Sequence, residues 1–130
     1  MTVSTQKTAL EVVSEMYEAA VQGNIEGVQA TVGDDFELHE PTYLPYAGVF
    51  HGPAGFKAEL EAGGKLVDVP AVKLQYLFGD GERVAGVVDV PLKNGKRTIV
   101  LEEWHVRDGK IRYGRAFWFN PSALEGLLDD

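Results

Sequence analysis

Apolar side chains recur every three or four residues near the start of the chain, which is the spacing of one face of a helix. This pattern predicts a helix over Thr8–Val21 that stops at Gly23. Its apolar stripe consists of Leu10, Val13, Tyr17, Ala20 and Val21. Asn24 is a suitable N-cap for a second, short helix that ends at Gly33. The buried edge of that helix would carry Ile25, Val28 and Val32.

The pattern changes to alternation at Phe36–Glu40, which predicts a strand. The next segment, Pro41–Gly52, combines prolines and glycines with large aromatic residues, so we expect an ordered loop that covers a cavity. Pro53 suits the first turn of a third helix, and Gly63 and Gly64 end it. The buried side of this helix carries Phe56 and Leu60.

Four long β-rich runs fill most of the remaining chain. They are Leu66–Phe78, Arg83–Leu92, Arg97–Val106 and Ile111–Phe119. The segments between them contain Asn-Gly and Asp-Gly pairs, which favour tight hairpin turns because both residues tolerate positive φ. The sequence therefore predicts three successive hairpins, which form an antiparallel meander of four strands.

Three helices, one strand and a long meander indicate a single α+β domain over residues 1–130. We expect the three N-terminal helices to pack on one face of a strongly curved antiparallel sheet. A sheet that curls around a helix leaves a cone-shaped hollow, open at one end. A small apolar ligand would bind in such a hollow.

Two acidic residues share strand faces with apolar side chains. Glu40 lies on the same face as Phe36 and Leu38, because alternate residues of a strand point the same way. The face of Glu102 also carries Val100, Trp104 and Val106. A buried carboxylate is usually paired, protonated or exposed to a wet cavity, because burying its charge alone is costly. Both acids are therefore candidates for catalysis or ligand binding.

The net charge of −8, from 12 basic and 20 acidic residues, would repel nucleic acid phosphates and anionic lipids. We therefore expect neither nucleic acid nor a membrane as a partner. The chain has no Cys, which excludes disulfides and thiol chemistry. Residues 1–7 lack a signal-peptide pattern, and no apolar run is long enough to span a membrane, so we expect a cytoplasmic location.

Five short stretches carry a resemblance that extends over Thr8–Pro121. They are Val12–Tyr17, Gly23–Val28, His39–Pro41, Gly48–Gly52 and Glu103–Ile111. Together they resemble the nuclear transport factor 2-like superfamily, which includes ketosteroid isomerases, SnoaL-like polyketide cyclases, scytalone dehydratase and limonene epoxide hydrolase. The resemblance implies a SnoaL-like domain with the cone-shaped, cystatin-like α+β barrel of that superfamily.

The resemblance to ketosteroid isomerases also implies roles for both acids. Glu40, which precedes Pro41, holds the place of the aspartate that moves the substrate proton, so it would be the base. Glu102 falls at or next to the protonated acid that donates a hydrogen bond to the developing enolate. Met16 replaces the oxyanion tyrosine, and Ala116 stands where SnoaL-like cyclases have an acid-base aspartate. Neither mechanism is complete, and neither needs a cofactor.

Structural interpretations compete with these roles. Glu40 could face solvent at a strand end, and Glu102 could form a buried ion pair with Arg115 or Arg83. Asp89 is a reserve candidate on a strand where Pro91 favours an exposed edge or a bulge. No metal site is expected, because no spacing brings the three histidines together. These are His39, His51 and His105.

We predict a pocket for a hydrophobic small molecule between the first helix and the sheet. Its expected ligand contacts are Met16, Tyr17, Tyr46, Trp104 and Trp118. Tyr17 lies about 100° around the helix from Met16, so it is not expected to replace the oxyanion tyrosine. The apolar segment Phe117–Phe119 predicts a homodimer through the sheet. We expect a small-molecule-binding protein. If it is an enzyme, it would be a cofactor-independent isomerase, cyclase or dehydratase that transfers a proton next to a carbonyl, and the alternative is a non-catalytic binding or interaction module.

Overall fold

The computed structural model describes residues 7–127. In this range it has three α-helices: α1 (Ala9–Val21), α2 (Ile25–Gln29) and α3 (Gly52–Gly63). Six strands make one sheet: β1 (Val32–Glu40), β2 (Gly48–His51), β3 (Lys73–Asp80), β4 (Arg83–Pro91), β5 (Arg97–Arg107) and β6 (Lys110–Trp118). Short 3₁₀ turns lie at Val69–Ala71 and Pro121–Leu124. The predicted α+β class is confirmed.

Helix α1 begins at a capping box. The backbone N–H of Glu11 donates to Thr8 Oγ1 at 3.1 Å, and the backbone N–H of Thr8 donates to Glu11 Oε1 at 2.9 Å. The buried face consists of Val12, Val13, Met16, Tyr17 and Ala19. Leu10 is 41% exposed, so its assignment to the buried stripe is wrong. The buried stripe is instead centred on Val13, Met16 and Tyr17, in the part of α1 that packs against the sheet.

The second helix is shorter than predicted, and β1 is longer. Helix α2 ends at Gln29, and Val32 already pairs with Ile111 of the parallel strand β6. The backbone N–H of Ile111 donates to the carbonyl of Thr31 at 2.8 Å. Pairing with β6 thus satisfies backbone groups that a longer helix would have bonded internally. The end of α2 and the start of β1 are therefore set by tertiary contacts rather than by local helix propensity.

The sheet has the order β2-β1-β6-β5-β4-β3, and all neighbours are antiparallel except β1 and β6. The three predicted hairpins are confirmed as β3–β4, β4–β5 and β5–β6. Register shifts interrupt the β1–β6, β3–β4 and β5–β6 pairs. Such bulges bend and twist a strand, which fits a curved sheet.

Two predicted boundaries in the loop regions are wrong. The segment Pro41–Gly52 contains β2, which pairs with β1 through backbone hydrogen bonds that its side-chain pattern does not reveal. Strand β3 starts at Lys73 rather than Leu66, because Pro70 lies in a 3₁₀ turn and cannot donate to a ladder.

The core lies between the helices and the inner face of the sheet. Phe56 of α3 stacks on Phe36 of β1 with ring centroids 5.1 Å apart, and on Trp104 of β5 at 6.0 Å. All three rings are buried. This stack holds α3 against two strands and so fixes one wall of the site described below. No helix in residues 7–127 has the length and apolarity needed to cross a bilayer.

Candidate functional site

A cavity of about 130 Å³ lies between α1, α3 and the inner face of the sheet. Its wall is mostly apolar, but it includes the carboxyl side chains of Glu40, Glu59 and Glu102. Within residues 7–127, no Lys, Arg or His lines the cavity. Acids from β1, α3 and β5 therefore meet in one cavity that has no basic residue in its described wall.

Strand alternation places Glu102 on the inner face of β5 together with Trp104, as the sequence predicts. The hydroxyl of Tyr17 donates a hydrogen bond of 2.7 Å to Glu102 Oε1. Trp104 Nε1 donates in turn to the Tyr17 hydroxyl oxygen at 2.8 Å. The three side chains form one directed series of hydrogen bonds that runs from the indole to the carboxylate, and this series orients Glu102.

The alternative in which Glu102 forms a buried ion pair is wrong. Arg115 points to the outer face of the sheet, where its Nη2 lies 2.8 Å from Oε1 of Glu103. In the described part of the chain, Glu102 makes no ion pair with Arg83 either. Its polar contact is the hydroxyl of Tyr17.

Burial raises the pKa of Glu102 to about 7. The hydrogen bond from Tyr17 favours the ionised carboxylate and lowers the pKa, whereas the negative charge of Glu59 raises it. Burial also raises the pKa of Tyr17, with the charge of Glu102 adding to the effect, so Tyr17 stays a hydrogen-bond donor. An acid that titrates near neutral pH can both accept and release a proton there.

A glycine on the neighbouring strand makes the contact between Tyr17 and Glu102 possible. Gly86 of β4 is the register partner of Glu102 on β5. A Cβ added at Gly86 would come within 2.5 Å of the Tyr17 hydroxyl and 2.9 Å of its ring carbons. The absent side chain therefore leaves the space in which the tyrosine lies.

Glu40 and Glu59 form a pair of carboxyl groups in the cavity wall. Burial raises the pKa of Glu40 well above its ordinary value, and the charge of Glu59 raises it further. Burial also raises the pKa of Glu59, but a hydrogen bond with Glu40 lowers it. These directions indicate that Glu40 holds the proton of the pair. Glu40 Oε1 is buried and has no hydrogen-bond partner among residues 7–127. The alternative in which Glu40 faces solvent is therefore wrong.

Glu59 was missed in the sequence analysis, although a signal for it exists. The predicted buried side of the third helix carries Phe56 and Leu60. Glu59 lies three residues after Phe56 and directly before Leu60. Residues three and four apart share a helix face, so the buried stripe of α3 includes Glu59. An acid on an apolar helical stripe has the same significance as one on an apolar strand face.

The sequence model of the SnoaL-like domain matches residues 13–114 of the chain. The chain belongs to the SnoaL-like family. No curated protein matches it. The matched region runs from α1 into β6 and contains every acid of the cavity, so the site lies inside the family's own domain.

Solved structures of the same fold share little sequence with this SnoaL-like protein. An NTF2-like protein of unknown function from Burkholderia pseudomallei is 18% identical, with 95% of this chain and 100% of that chain covered and a TM-score of 0.77. Bal32a, from a soil-derived mobile gene cassette, is 19% identical, with 90% and 93% covered and a TM-score of 0.78. TerC, co-crystallised with polyporic acid, is 22% identical, with 85% and 90% covered and a TM-score of 0.70.

All seven site residues named from the sequence of this SnoaL-like protein line the cavity. They are Met16, Tyr17, Glu40, Tyr46, Glu102, Trp104 and Trp118. Ala116 also lines it, so the position of the cyclase aspartate faces the cavity without an acid. Burial raises the pKa of Tyr46, and the charge of Glu40 adds to this, which keeps its hydroxyl protonated. The roles of these residues toward a ligand stay predictions.

The other polar candidates lie outside the cavity. His39 and His105 contact Glu37 and Glu103 at 3.1 Å and 2.7 Å. Arg97 Nη2 donates to Asp89 Oδ2 at 2.6 Å, so this reserve candidate is paired at the surface. His51 is exposed just before α3 and makes no capping hydrogen bond with its side chain. In residues 7–127, no group of three or more potential ligands could hold a metal ion.

Proposed function

We propose that this SnoaL-like protein binds a small hydrophobic carbonyl compound and moves a proton next to its carbonyl group without a cofactor. Isomerisation and aldol-type cyclisation are reactions of this kind, and loss of water is a related one. The observation that carries the proposal is the meeting of Glu40, Glu59 and Glu102 in one apolar cavity. Burial raises the pKa of each, which is typical of acid-base sites.

In the proposed reaction, Glu102 removes the proton from the carbon next to the carbonyl, and the electron pair of the broken C–H bond moves toward the oxygen. The protonated Glu40 donates a hydrogen bond to the resulting enolate oxygen. Glu102 then returns the proton to a carbon of the substrate, which restores the carbonyl and both acids. These roles exchange those implied by the resemblance, because the pKa of Glu40 is raised further than that of Glu102.

Tyr17 is a positioning residue in this proposal. Its single O–H donates to Glu102, so it is not free to bind an enolate oxygen at the same time. Met16, at the place that the resemblance gives to the oxyanion tyrosine of ketosteroid isomerases, supplies no donor. Of Met16, Tyr17 and Glu40, only Glu40 would therefore stabilise the developing negative charge.

The dimensions of the cavity limit the substrate to a small molecule. A cavity of about 150 Å³ holds benzene, and this one measures about 130 Å³. Part of its wall comes from segments outside the sheet, at Tyr46, Val67, Val69 and Val72. This arrangement supports the cone-shaped, cystatin-like hollow as part of the proposal, with ligand entry at that end.

The proposal also includes a homodimer through the outer face of the sheet. Leu101 is 36% exposed and Phe117 is 46% exposed, and the two residues pair in register across β5 and β6. Exposed apolar neighbours favour burial against another surface. Sedimentation of the full chain tests this point. The proposed cytoplasmic location is tested by fractionating cells that express the tagged chain.

The test of the activity is a screen of ketones, epoxides and polyketide-like compounds for thermal stabilisation, followed by NMR detection of turnover. Deuterium exchange next to a carbonyl in heavy water would report proton transfer even without net conversion. We expect Glu102→Gln to abolish exchange and Glu103→Gln to retain it. Exchange that persists in Glu102→Gln, or binders that never exchange with the wild type, would contradict the proposal.

A non-catalytic binding module is the second candidate. The observation in its favour is the incomplete machinery, since Met16 and Ala116 line the cavity where related enzymes place a tyrosine and an aspartate. In that case Glu102→Gln would change affinity for a binder, while no binder would be turned over by the wild-type protein.

A further inference from the structure

Several acids outside the cavity have cationic partners, whereas within residues 7–127 none of the three acids inside has one. Asp35, Asp89 and Glu103 bind Arg112, Arg97 and Arg115 at 2.9, 2.6 and 2.8 Å. Within residues 7–127, the polar groups that raise or lower the pKa of the three cavity acids are one another and Tyr17. Together with the absence of Lys, Arg and His from the described wall, this leaves the cavity with acid groups and no positive charge.

One carboxyl oxygen in the cavity lacks a donor in the described part of the chain. Glu40 Oε1 is buried, its side chain lines the cavity, and no group of residues 7–127 forms a hydrogen bond with it. A buried acceptor without a donor is destabilising, and native structures rarely retain one without a partner that completes it. A hydrogen-bond donor that enters the cavity would complete this oxygen.

We propose that the ligand of this cavity is a small apolar compound that carries a protonated amine, whose N–H groups donate to Glu40, Glu59 and Glu102. This inference rests on the proposed function for the location of the ligand, and it adds the chemical class. An ammonium group has three donors and no acceptor, which matches a wall that offers carboxyl oxygens from three elements. A carboxylate or phosphate ligand would meet like charge without a cation to compensate it.

The rest of the wall suits the apolar part of such a ligand and the face of its cation. Five aromatic residues line the cavity: Tyr17, Tyr46, Phe56, Trp104 and Trp118. A cation over an aromatic face is attracted by the ring quadrupole, and more strongly where water is excluded. The acids and the rings therefore favour the same kind of ligand for independent reasons.

Binding should depend on pH in a defined direction. The groups that face Glu102 are Tyr17 of α1, Glu40 of β1 and Glu59 of α3, with Tyr46 of the β1–β2 loop also in the wall. The pKa of Glu102 is about 7. Because the ionised carboxylate binds the ammonium, affinity should rise about 30-fold from pH 5.5 to pH 8, while an alkylamine remains protonated.

The test compares three probes of similar size by calorimetry at pH 8. They are benzylamine, which is cationic, benzyl alcohol, which is neutral, and benzoate, which is anionic. We expect benzylamine to bind at least tenfold more tightly than benzyl alcohol, and benzoate not to bind. The preference for benzylamine over benzyl alcohol should disappear in Glu102→Gln and decrease in Glu59→Gln. Glu61→Gln removes an exposed charge from the same helix and should leave it unchanged.

Benzyl alcohol that binds as tightly as benzylamine would overturn the amine preference and leave the proposed function standing. The amine preference would also be overturned if Glu61→Gln reduced the preference for benzylamine as much as Glu102→Gln does. In that case a charge outside the cavity would be enough to attract the amine. If none of the probes binds to the wild type at millimolar concentration, the amine inference is wrong. The proposed function is judged separately, by turnover and exchange in the carbonyl screen.

Discussion

Glu102 and Glu103 are adjacent on β5, yet the two faces of the sheet give them opposite acid-base properties. Burial raises the pKa of Glu102 to about 7. Hydrogen bonds from His105 and Arg115 lower the pKa of Glu103. Successive residues of a strand point to opposite faces of the sheet. The two side chains therefore differ in solvent exposure, in hydrogen-bond partners and in proton affinity.

The same contrast extends over both faces. On the outer face, Glu37 and Glu103 lie beside His39 and His105, with Arg115 bound to the second acid. On the inner side, three carboxyl groups line an apolar cavity whose described wall holds no Lys, Arg or His. Hydrogen bonds on the outer face stabilise Glu103 as a carboxylate, whereas burial raises the pKa of each acid in the cavity. A carboxylate that is paired with a cation is poorly suited to take up a proton, which is why the proposed function places the reaction on the inner side.

The largest expected effect is on turnover. Glu102→Gln should lower the rate with a substrate from the carbonyl screen by about 100-fold or more, because positioned acid-base groups contribute about 10² to 10⁴ in rate. Glu103→Gln removes the same charge one residue away and should change the rate less than about twofold. Steady-state kinetics of both variants measure the two rates. Equal rate losses in Glu102→Gln and Glu103→Gln would contradict the functional difference between the two faces.

The next largest effect is on the pH dependence of stability. The pKa of Glu102 rises on folding, so the folded state retains a proton that the unfolded state releases, and stability falls as pH rises from about 4.5 to about 7. Glu102 should contribute on the order of 3 kcal/mol to this fall in the free energy of unfolding, because one pKa unit corresponds to about 1.4 kcal/mol. Urea unfolding across this range should show a smaller fall in Glu102→Gln.

Glu103 provides the control with the opposite sign. Its pKa is lowered on folding, so its stabilisation is present above its unfolded pKa and is lost as pH falls through the folded value. Glu103→Gln should therefore alter only the acid end of the profile. A change between pH 5 and pH 7 in this variant would contradict the assignment.

A smaller effect is expected from Gly86→Ala. The added methyl group would overlap the Tyr17 hydroxyl, and overpacking of this kind costs about 1 to 3 kcal/mol. The cost should be smaller when Tyr17→Ala is already present, because the clash is then gone. A double-mutant cycle by urea unfolding measures this coupling. Additive effects would show that the space at Gly86 is unrelated to Tyr17.

The smallest effect concerns the outer ion pair. Arg115 and Glu103 are partly exposed, so Glu103→Gln should destabilise the fold by less than about 1 kcal/mol at neutral pH. Added salt should reduce this difference further. Denaturation at low and high ionic strength checks it. A loss of several kcal/mol would mean that the outer face also depends on a specific charge pair.

Much of the site followed from the sequence because strand geometry is a local property. Alternation alone placed Glu102 beside Trp104, and the glycine-rich turns fixed the hairpins that carry them. The meeting of Glu40 and Glu102 in one cavity depends on how β1 joins the meander. That contact is a parallel pairing with β6, which no local pattern encodes.

The failures have a common physical cause, which is that long-range contacts override local preference. Strand β2 forms because the β1 edge offers backbone partners, although Gly48 and its neighbours show little alternation. Glu59 was passed over because a charged residue on a helix is normally solvated. Its burial becomes evident only when α3 packs on the sheet through Phe56.

The chain contains two tryptophans, and both belong to the cavity wall. Intrinsic indole emission from this protein therefore originates at the site, with no background from elsewhere in the fold. Trp104 is joined through Tyr17 to the carboxyl group that titrates near neutrality. The protein thus carries its own optical reporter, able to register a guest or a change of ionisation without any added label.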